Sequence, residues 1–255
     1  MHFLHNNLAW KSFLSSMTKN IQEKDGLCSW CVKRNTNFSF GRSLAEEDMP
    51  YLRSFIPFSA YYVSTEDVLL LSKYFELKKS KQDSVVIPIE NLSLKGNKFL
   101  KIRGSVNRNL KKNFTITNEL RCYEDMLAFI KSWDDTCGGK YFQVRTGKNK
   151  YFFRNDLHKE GLSLFVYDGE KLIGWGVLSK PDINGYSSYV AGKALCLEYG
   201  GLSEYVDIKM YEEAVKQGVK FVNLGGGGPK LLFYKLKFPG AFLLNTFEVK
   251  TLGVL

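Results

Sequence analysis

Residues 202–240 constrain the fold of this 255-residue chain more than any other segment. The apolar spacing over residues 203–217 predicts an amphipathic helix, and residues 220–224 predict a short buried strand. Four consecutive glycines at 225–228 then lead into Pro229, a residue typical of the first turn of a helix. Backbone N–H groups without a helical partner collect where such a loop enters a helix, so the segment is predicted to bind an anion.

Three lysines in the predicted second helix strengthen this interpretation. Lys230, Lys235 and Lys237 place mobile positive charge beside the glycine loop. A loose turn between a strand and a helix is the alternative interpretation of the glycines, but four in succession exceed what a turn requires. We therefore favour a binding role for the loop.

The composition is that of a folded globular protein. Hydrophobic residues make up 44% of the chain and aromatic residues 15%, which is enough to form a core and too apolar for a disordered chain. No run approaches the roughly 18 apolar residues that a membrane-spanning helix needs, and the start of the chain lacks the continuous apolar block of a secretory signal. We therefore expect a cytoplasmic protein without a transmembrane segment, with peripheral contact to a membrane as a further expectation.

Positive charge predominates, with 36 Lys and Arg against 26 Asp and Glu, and a formal net charge of +10. Such an excess attracts polyanions, so the expected partners are tRNA or another nucleic acid, an anionic lipid surface, or a phosphorylated cofactor. The most basic stretch, residues 95–112, contains no acidic residue. It is predicted either to bind such a partner or to form a solvated connector helix between two lobes.

The cysteines and histidines predict no metal site. Cys28 and Cys31 form a single CxxC pair, while the other cysteines lie far apart and the histidines lack ligand spacing. A structural zinc site needs four ligands, usually from two such pairs. We therefore expect reduced cysteines without a metal or redox role.

From residue 116 onward the pattern alternates between helices and strands. The Asp168-Gly169 pair is a favoured hairpin turn, and Gly192 suggests a bulge in the strand that contains it. The first predicted elements are a helix at 119–133 and strands at 163–169, 171–180 and 186–199. The helix at 203–217, the strand at 220–224 and the helix that begins at Pro229 come next, and a last strand at 241–252 follows. This order predicts an α/β (α+β) protein with a mixed sheet flanked by helices.

The first half of the chain predicts shorter elements. Helices are expected at 44–56 and at 65–71, the second capped by Ser64 or Thr65. Residues 84–90 are rich in β-branched side chains and predict a strand, which Pro88 limits to a sheet edge or a bulge.

The glycine loop and its flanks also carry a sequence motif. A helix of the type Y…A…G leads to a strand that ends in Asn-Leu-Gly, and a short lysine-bearing helix follows. The matching residues are Tyr211, Ala214, Gly218, Asn223, Leu224, Gly225, Tyr234, Lys235, Lys237, Phe238 and Gly240. In this motif and in its order of elements the chain resembles the GNAT acyltransferase fold. More narrowly, it resembles the aminoacyl-tRNA-dependent transferases of the FemA/FemB-like and phosphatidylglycerol lysyltransferase groups. Tyr234 in place of the usual Phe, and Pro239 before Gly240, depart from the pattern.

The basic stretch fits the same resemblance. Those families carry R-x-x-x-N-K/R where the first lobe passes into the second, and the corresponding residues here are Arg103, Asn107, Arg108, Lys111 and Lys112. The resemblance implies a shortened (reduced) N-terminal GNAT-like lobe over residues 1–112, which ends in a basic connector. It also implies a C-terminal GNAT-like acyltransferase domain over residues 113–255.

The resemblance implies transfer of an aminoacyl group from aminoacyl-tRNA to a lipid or cell-wall precursor, with no further cofactor. Lys235 is expected to be catalytic by stabilising a carbonyl or phosphate oxygen, and its removal is expected to abolish transfer while leaving the melting temperature nearly unchanged. Glu198 and Asp207 flank the Gly200-Gly201 turn, and Glu198 is the candidate general base. Donor binding is expected from Asn223, Gly225, Gly226, Gly227, Gly228, Lys230, Tyr234, Lys237, Arg103 and Arg108.

Two other functions stay open. An acyl-CoA-dependent N-acetyltransferase would carry a Q/R-x-x-G-x-G/A loop after its fourth strand, and here Gly200 and Gly201 occur without the leading basic residue. The sequence therefore disfavours acyl-CoA without excluding it. The third hypothesis is a non-catalytic basic module that binds nucleic acid through its lysine patches.

Overall fold

The computed structural model describes residues 21–32, 35–40, 42–81, 83–137, 143–181 and 184–255. Two mixed β-sheets with helices packed beside them make up this part of the chain. The predicted α/β class, a mixed sheet flanked by helices, is confirmed.

The first sheet has six strands and is built mainly from the first third of the chain. Its strands are β1 (Ile21–Lys24), β2 (Leu27–Val32), β3 (Asn35–Phe40), β4 (Phe58–Val63), β5 (Phe75–Lys81) and β13 (Phe247–Val254). Their spatial order is β1-β2-β3-β4-β13-β5, in which only the β3–β4 pair is parallel. Two short helices, α1 (Met49–Arg53) and α2 (Thr65–Leu71), belong to the same part of the chain.

The second sheet has seven strands and contains the candidate site. Its strands are β6 (Ser84–Pro88), β7 (Thr115–Thr117), β8 (Leu162–Asp168), β9 (Lys171–Leu178), β10 (Tyr186–Ala194), β11 (Phe221–Asn223) and β12 (Phe242–Leu244). Their spatial order is β12-β6-β11-β10-β9-β8-β7. The associated helices are α3 (Leu100–Leu110), α4 (Tyr123–Cys137), α5 (Gln143–Arg154), α6 (Leu202–Lys216) and α7 (Pro229–Leu236).

Local sequence signals located several elements correctly. The Asp168-Gly169 hairpin joins β8 to β9, with Gly169 in the left-handed region at φ 57°. Pro229 stands in the first turn of α7. The Ser64 side chain accepts a hydrogen bond from the N–H of Asp67 and so caps α2, as predicted.

Two predicted strands differ in the structure. β6 is an interior strand between β12 and β11 rather than an edge strand. Pro88 is compatible with this position because it is the last residue of the strand, where a missing N–H interrupts the ladder least. The single strand predicted at 241–252 is two strands, β12 and β13, and they belong to different sheets.

The two hydrophobic cores do not divide at residue 112. The core of the second sheet includes Ile87 from β6, together with Ile102 and Val106 from α3. The core of the first sheet includes Val249 from β13. Residues 1–112 and 113–255 therefore each contribute to both cores, and α3 is a packed helix of the second core rather than a solvated connector.

The second sheet divides between β10 and β11, and this division places the candidate site. The two strands are parallel neighbours over three residue pairs, from Tyr186 with Phe221 to Ser188 with Asn223. Past Ser188, β10 continues along β9 through a bulge that follows Tyr189, while the chain leaves β11 for the glycine loop. Because a bulge bends its strand, the strands separate and a wedge opens between β10 and the glycine loop.

Candidate active site

A cavity of about 300 Å³ lies in this wedge. Its lining includes Trp175 of β9, Tyr189 of β10, and Asp207 and Tyr211 of α6. Leu224, which precedes the glycine loop, and residues of α7 complete the lining. The cavity therefore lies at the segment that the sequence singled out.

Asp207 is the acidic group of this cavity. Only 8% of the residue is exposed to solvent. Its carboxylate accepts hydrogen bonds from two tyrosine hydroxyls, Tyr189 at 3.0 Å and Tyr234 at 2.8 Å. Burial raises the pKa of Asp207 to about 6, although the two hydroxyls and the charge of Lys237 act in the opposite direction.

Gly192 is what allows Tyr189 to reach Asp207. A Cβ atom at position 192 would lie 2.0 Å from the Tyr189 hydroxyl oxygen and 2.8 Å from the ring carbon that bears it. The tyrosine ring therefore lies directly over the backbone of Gly192. Any side chain at position 192 would displace the hydroxyl from the carboxylate, so this glycine is a steric requirement of the site.

Lys235 holds the glycine loop in place. Its ammonium donates hydrogen bonds to three backbone carbonyls, those of Leu224 at 2.6 Å, Gly225 at 3.1 Å and Gly226 at 2.5 Å. The residue is only 9% exposed, and burial lowers its pKa to about 8. The three carbonyl oxygens favour the protonated form, because charge-assisted hydrogen bonds stabilise the cation. Lys235 therefore lies in α7 with its ammonium directed at the backbone carbonyls of the loop.

The other residues predicted on this segment are also close together. The side chain of Asn223 accepts a hydrogen bond from the N–H of Gly225 at 2.7 Å. Lys237 forms an ion pair with Glu204 at 2.6 Å, and its ammonium lies 3.6 Å from the centre of the Tyr234 ring. Gly227 and Gly228 are exposed, as is Lys230 at the start of α7.

Tyr234 and Lys235 are the predicted site residues that line the cavity, whereas Asn223, the four loop glycines, Lys230, Lys237, Glu198, Arg103 and Arg108 do not. The last three lie apart from the glycine loop. Glu198 lies beyond the end of β10, where its half-exposed carboxylate forms an ion pair with Lys171 at 2.5 Å. Arg103 donates to the carbonyls of Leu94 and Gly96 and lines a separate open groove. Arg108 lies over the turn before α6, since its guanidinium would be 3.1 Å from a Cβ atom at position 200. The structure thus brings Asp207, not Glu198, to the cavity.

The contacts around Asp207 were not evident in the sequence. Tyr189 precedes Asp207 by 18 residues and Tyr234 follows it by 27. No local pattern marks tyrosines as carboxylate ligands, because the same residues fit an ordinary core. The signal that could have found Asp207 is its position on the apolar face of a helix, where an acidic residue needs a partner.

The described helices include none that is both long and apolar enough to cross a membrane.

Comparison with known proteins gives the structural class. No protein-family model and no curated protein sequence matches the chain. A conserved protein of unknown function from Bacteroides thetaiotaomicron has a similar structure, with a TM-score of 0.75 and 13% identity over 96% of this chain and 90% of that one. The C-terminal domain of a proposed lysylphosphatidylglycerol synthetase from Agrobacterium fabrum gives 0.68 and 12% identity, over 96% and 87% of the two chains.

A third similar structure is FemX, with a TM-score of 0.62 and 14% identity over 96% of this chain and 91% of that one. At such identities the likeness establishes the fold. The chain therefore has the GNAT-like fold of FemX and of the lysylphosphatidylglycerol synthetase C-terminal domain, as the motif around its glycine loop predicted.

Proposed function

We propose that this chain is an acyltransferase that moves an aminoacyl group from aminoacyl-tRNA to an amine or hydroxyl of a lipid or cell-wall precursor. The cavity at the division between β10 and β11 is the observation that carries the proposal. Its lining contains a buried carboxylate, that of Asp207, and the buried lysine, Lys235, that holds the adjacent glycine loop in place. The named structural neighbours, a proposed lysylphosphatidylglycerol synthetase and FemX, support the same class of reaction.

The size of the cavity supports a small reacting group. A volume of about 300 Å³ is at the lower end for small-molecule sites. It suits an aminoacyl group better than a whole nucleotide or coenzyme. The remainder of a tRNA donor would lie outside the cavity, where the formal charge of +10 favours a polyanion.

The proposed reaction requires little chemistry from side chains. The acceptor nucleophile attacks the ester carbonyl, the bond to the terminal ribose oxygen of the tRNA breaks, and the proton of the nucleophile passes to that oxygen. Because the ester is already activated, positioning and electrostatic stabilisation can supply most of the acceleration. Lys235 acts here as a positioning residue, since its ammonium fixes the loop through three carbonyls.

A transfer assay tests this proposal. Purified chain is incubated with tRNA charged with each labelled amino acid, together with membrane lipids or peptidoglycan precursors. We expect label to move to one acceptor class in the presence of the wild-type chain and not with Lys235→Met. Binding of tRNA without any turnover across all donors and acceptors would contradict the proposal and favour a nucleic-acid-binding module.

One observation favours a second candidate, an acyl-CoA-dependent acetyltransferase. The sequence lacks a basic residue at the start of the turn before α6, but Arg108 reaches this turn from α3. A guanidinium at a helix start suits a pyrophosphate. A thermal-shift assay tests this candidate. It would be supported if acetyl-CoA raised the melting temperature of the wild-type chain but not that of Arg108→Gln.

A further inference from the structure

We infer that helix α7 docks on an anionic lipid bilayer and inserts Phe233 among the lipid headgroups. This inference rests on the proposed function and deepens it, because it names the surface at which a lipid acceptor is met. The observation that carries it is an apolar helix face that the chain leaves exposed beside the cavity.

The outward side of α7 is apolar. Pro229, Leu232, Phe233 and Leu236 are spaced by three and four residues, so they share one face of this helix. We call these four residues the apolar face of α7. Phe233 is 79% exposed, and none of the four belongs to either hydrophobic core of the described chain. An exposed apolar face of this kind indicates a surface that binds a partner.

The charges around the apolar face are positive. Lys230 and Lys237 lie three residues before and four residues after Phe233, which places both beside it on the helix. Lys237 forms an ion pair with Glu204, whereas Lys230 is exposed and forms none among the described residues. The sequence from 214 to 247 contains neither Asp nor Glu. Apolar side chains flanked by lysines, without an acidic residue, are complementary to the surface of an anionic bilayer.

A second copy of the chain fits the apolar face less well. In a two-fold symmetric contact the same residues meet, so lysines would face lysines without acidic partners. One face of an eight-residue helix also covers only a small part of the roughly 800 Å² that each partner buries in a stable interface. Insertion of a few side chains into a bilayer needs no such area. Nucleic acid would offer phosphates to the lysines but no apolar surface to Phe233.

The same helix forms part of the candidate active site. Leu231 and Lys235, on the side of α7 opposite to Phe233, line the cavity. Leu231 is also 47% exposed, so it lies at the rim of the cavity. Docking through the apolar face therefore places the cavity about 10 Å, one helix diameter, from the lipid surface. A lipid headgroup at that surface has only this distance to move to meet an aminoacyl group in the cavity.

Vesicle flotation with the full chain tests this inference. One set of vesicles contains phosphatidylcholine alone, and the other contains equal parts of phosphatidylcholine and phosphatidylglycerol. We expect the chain to bind the anionic vesicles at least about tenfold more tightly than the neutral ones, because the lysines attract anionic headgroups. Binding should weaken as the salt concentration rises, since salt screens this attraction.

Substitutions at Phe233 locate the docking surface. Phe233→Ser should weaken binding to the anionic vesicles about tenfold, since it removes an inserted aromatic side chain and leaves the charge unchanged. Phe233→Trp should retain binding, because Trp is favoured at the membrane interface. Leu69→Ser is the matched control. Leu69 is 63% exposed on α2, outside the apolar face of α7, and its substitution should leave binding unchanged.

Several outcomes would overturn the inference. They are the absence of vesicle binding, equal binding to neutral and anionic vesicles, unchanged binding in Phe233→Ser, or an equal loss of binding in Leu69→Ser. Self-association of the wild-type chain in sedimentation, lost in Phe233→Ser and without vesicle binding, would also overturn it and assign the apolar face to a second copy.

The inference and the proposed function can fail separately. Aminoacyl transfer to a water-soluble cell-wall precursor, without vesicle binding, would overturn the inference and leave the proposed function intact. Vesicle binding that depends on Phe233, without aminoacyl transfer to any acceptor, would leave the inference standing and overturn the proposed function.

Discussion

The buried ammonium of Lys235 donates to three loop carbonyls, and that of Gly225 also accepts a hydrogen bond from the N–H of Val85. Removal of the ammonium therefore affects stability as well as activity, in contrast to the sequence-based expectation of an unchanged melting temperature. We expect Lys235→Met to lower the free energy of unfolding by about 1–3 kcal/mol, the usual cost of leaving buried polar groups unpaired. Transfer activity should be lost in the same variant.

Lys230 provides the matched control for this substitution. It lies on the same helix and is exposed. Lys230→Met should change stability by no more than about 0.5 kcal/mol, as surface substitutions usually do. Denaturant unfolding of the two variants compares them directly. Equal stabilities would show that the carbonyl contacts of Lys235 contribute nothing to the fold.

Asp207 should make stability depend on pH in a direction that is unusual for a carboxylate. Its pKa is raised from the ordinary value of 3.8 to about 6 in the folded chain, so the folded state holds this proton more tightly than the unfolded state. The contribution of Asp207 to stability is therefore present below pH 4 and is lost as the pH rises through 6. The shift corresponds to about 3 kcal/mol.

The comparison with Asp207→Asn isolates this contribution. We expect the variant to gain stability relative to the wild type as the pH rises from 4 to 7, measured by urea unfolding at each pH. A parallel pH dependence of the two chains would contradict the assignment. The titratable groups facing Asp207 are Tyr189 from β10, Glu204 and Tyr211 from α6, and Tyr234, Lys235 and Lys237 from α7.

At the scale of the element, the four glycines are not equivalent. Gly225 has φ 67°, a left-handed conformation that costs other residues about 1–2 kcal/mol. Gly228 has φ −67°, is the N-cap of α7, and leaves open space around an added Cβ atom. We expect Gly225→Ala to destabilise the chain by about that cost, whereas Gly228→Ser should be neutral or slightly stabilising as a better N-cap. Thermal unfolding of the two variants measures this difference in stability. Equal losses of stability in Gly225→Ala and Gly228→Ser would contradict the left-handed conformation of Gly225.

The elements themselves were largely predictable because their signals are local. The hairpin at Asp168-Gly169, the cap at Ser64 and the helix start at Pro229 each depend on a few adjacent residues. The cavity was not predictable in the same way. The contacts of Asp207 join three elements that are distant in sequence, and the burial that decides between Glu198 and Asp207 arises only when those elements pack.

At the scale of the whole molecule, each of the two sheets contains a strand that is distant in sequence from most of the other strands in that sheet. The first sheet takes β13 from the end of the chain, and the second takes β6 as an interior strand from the first third. The boundary at residue 112 was implied by the resemblance of the basic stretch to the segment between two lobes. Pairing between distant strands leaves no local signal in the sequence, so the positions of β6 and β13 could not be predicted from it.

The positions of β6 and β13 in the two sheets predict which fragment of the chain can fold. Residues 113–255 lack β6 and α3, so β12 loses its partner, β11 gains an open edge and the second core loses Ile87, Ile102 and Val106. We expect this fragment to aggregate or to lack a cooperative thermal transition, because an exposed edge and a missing core layer favour association. Residues 84–246 retain all seven strands of the second sheet and omit β13. That longer fragment should therefore be the more soluble of the two and should melt cooperatively by circular dichroism. A cooperative transition in 113–255, with none in 84–246, would mean that β6 is dispensable and that the boundary at residue 112 describes the domains after all.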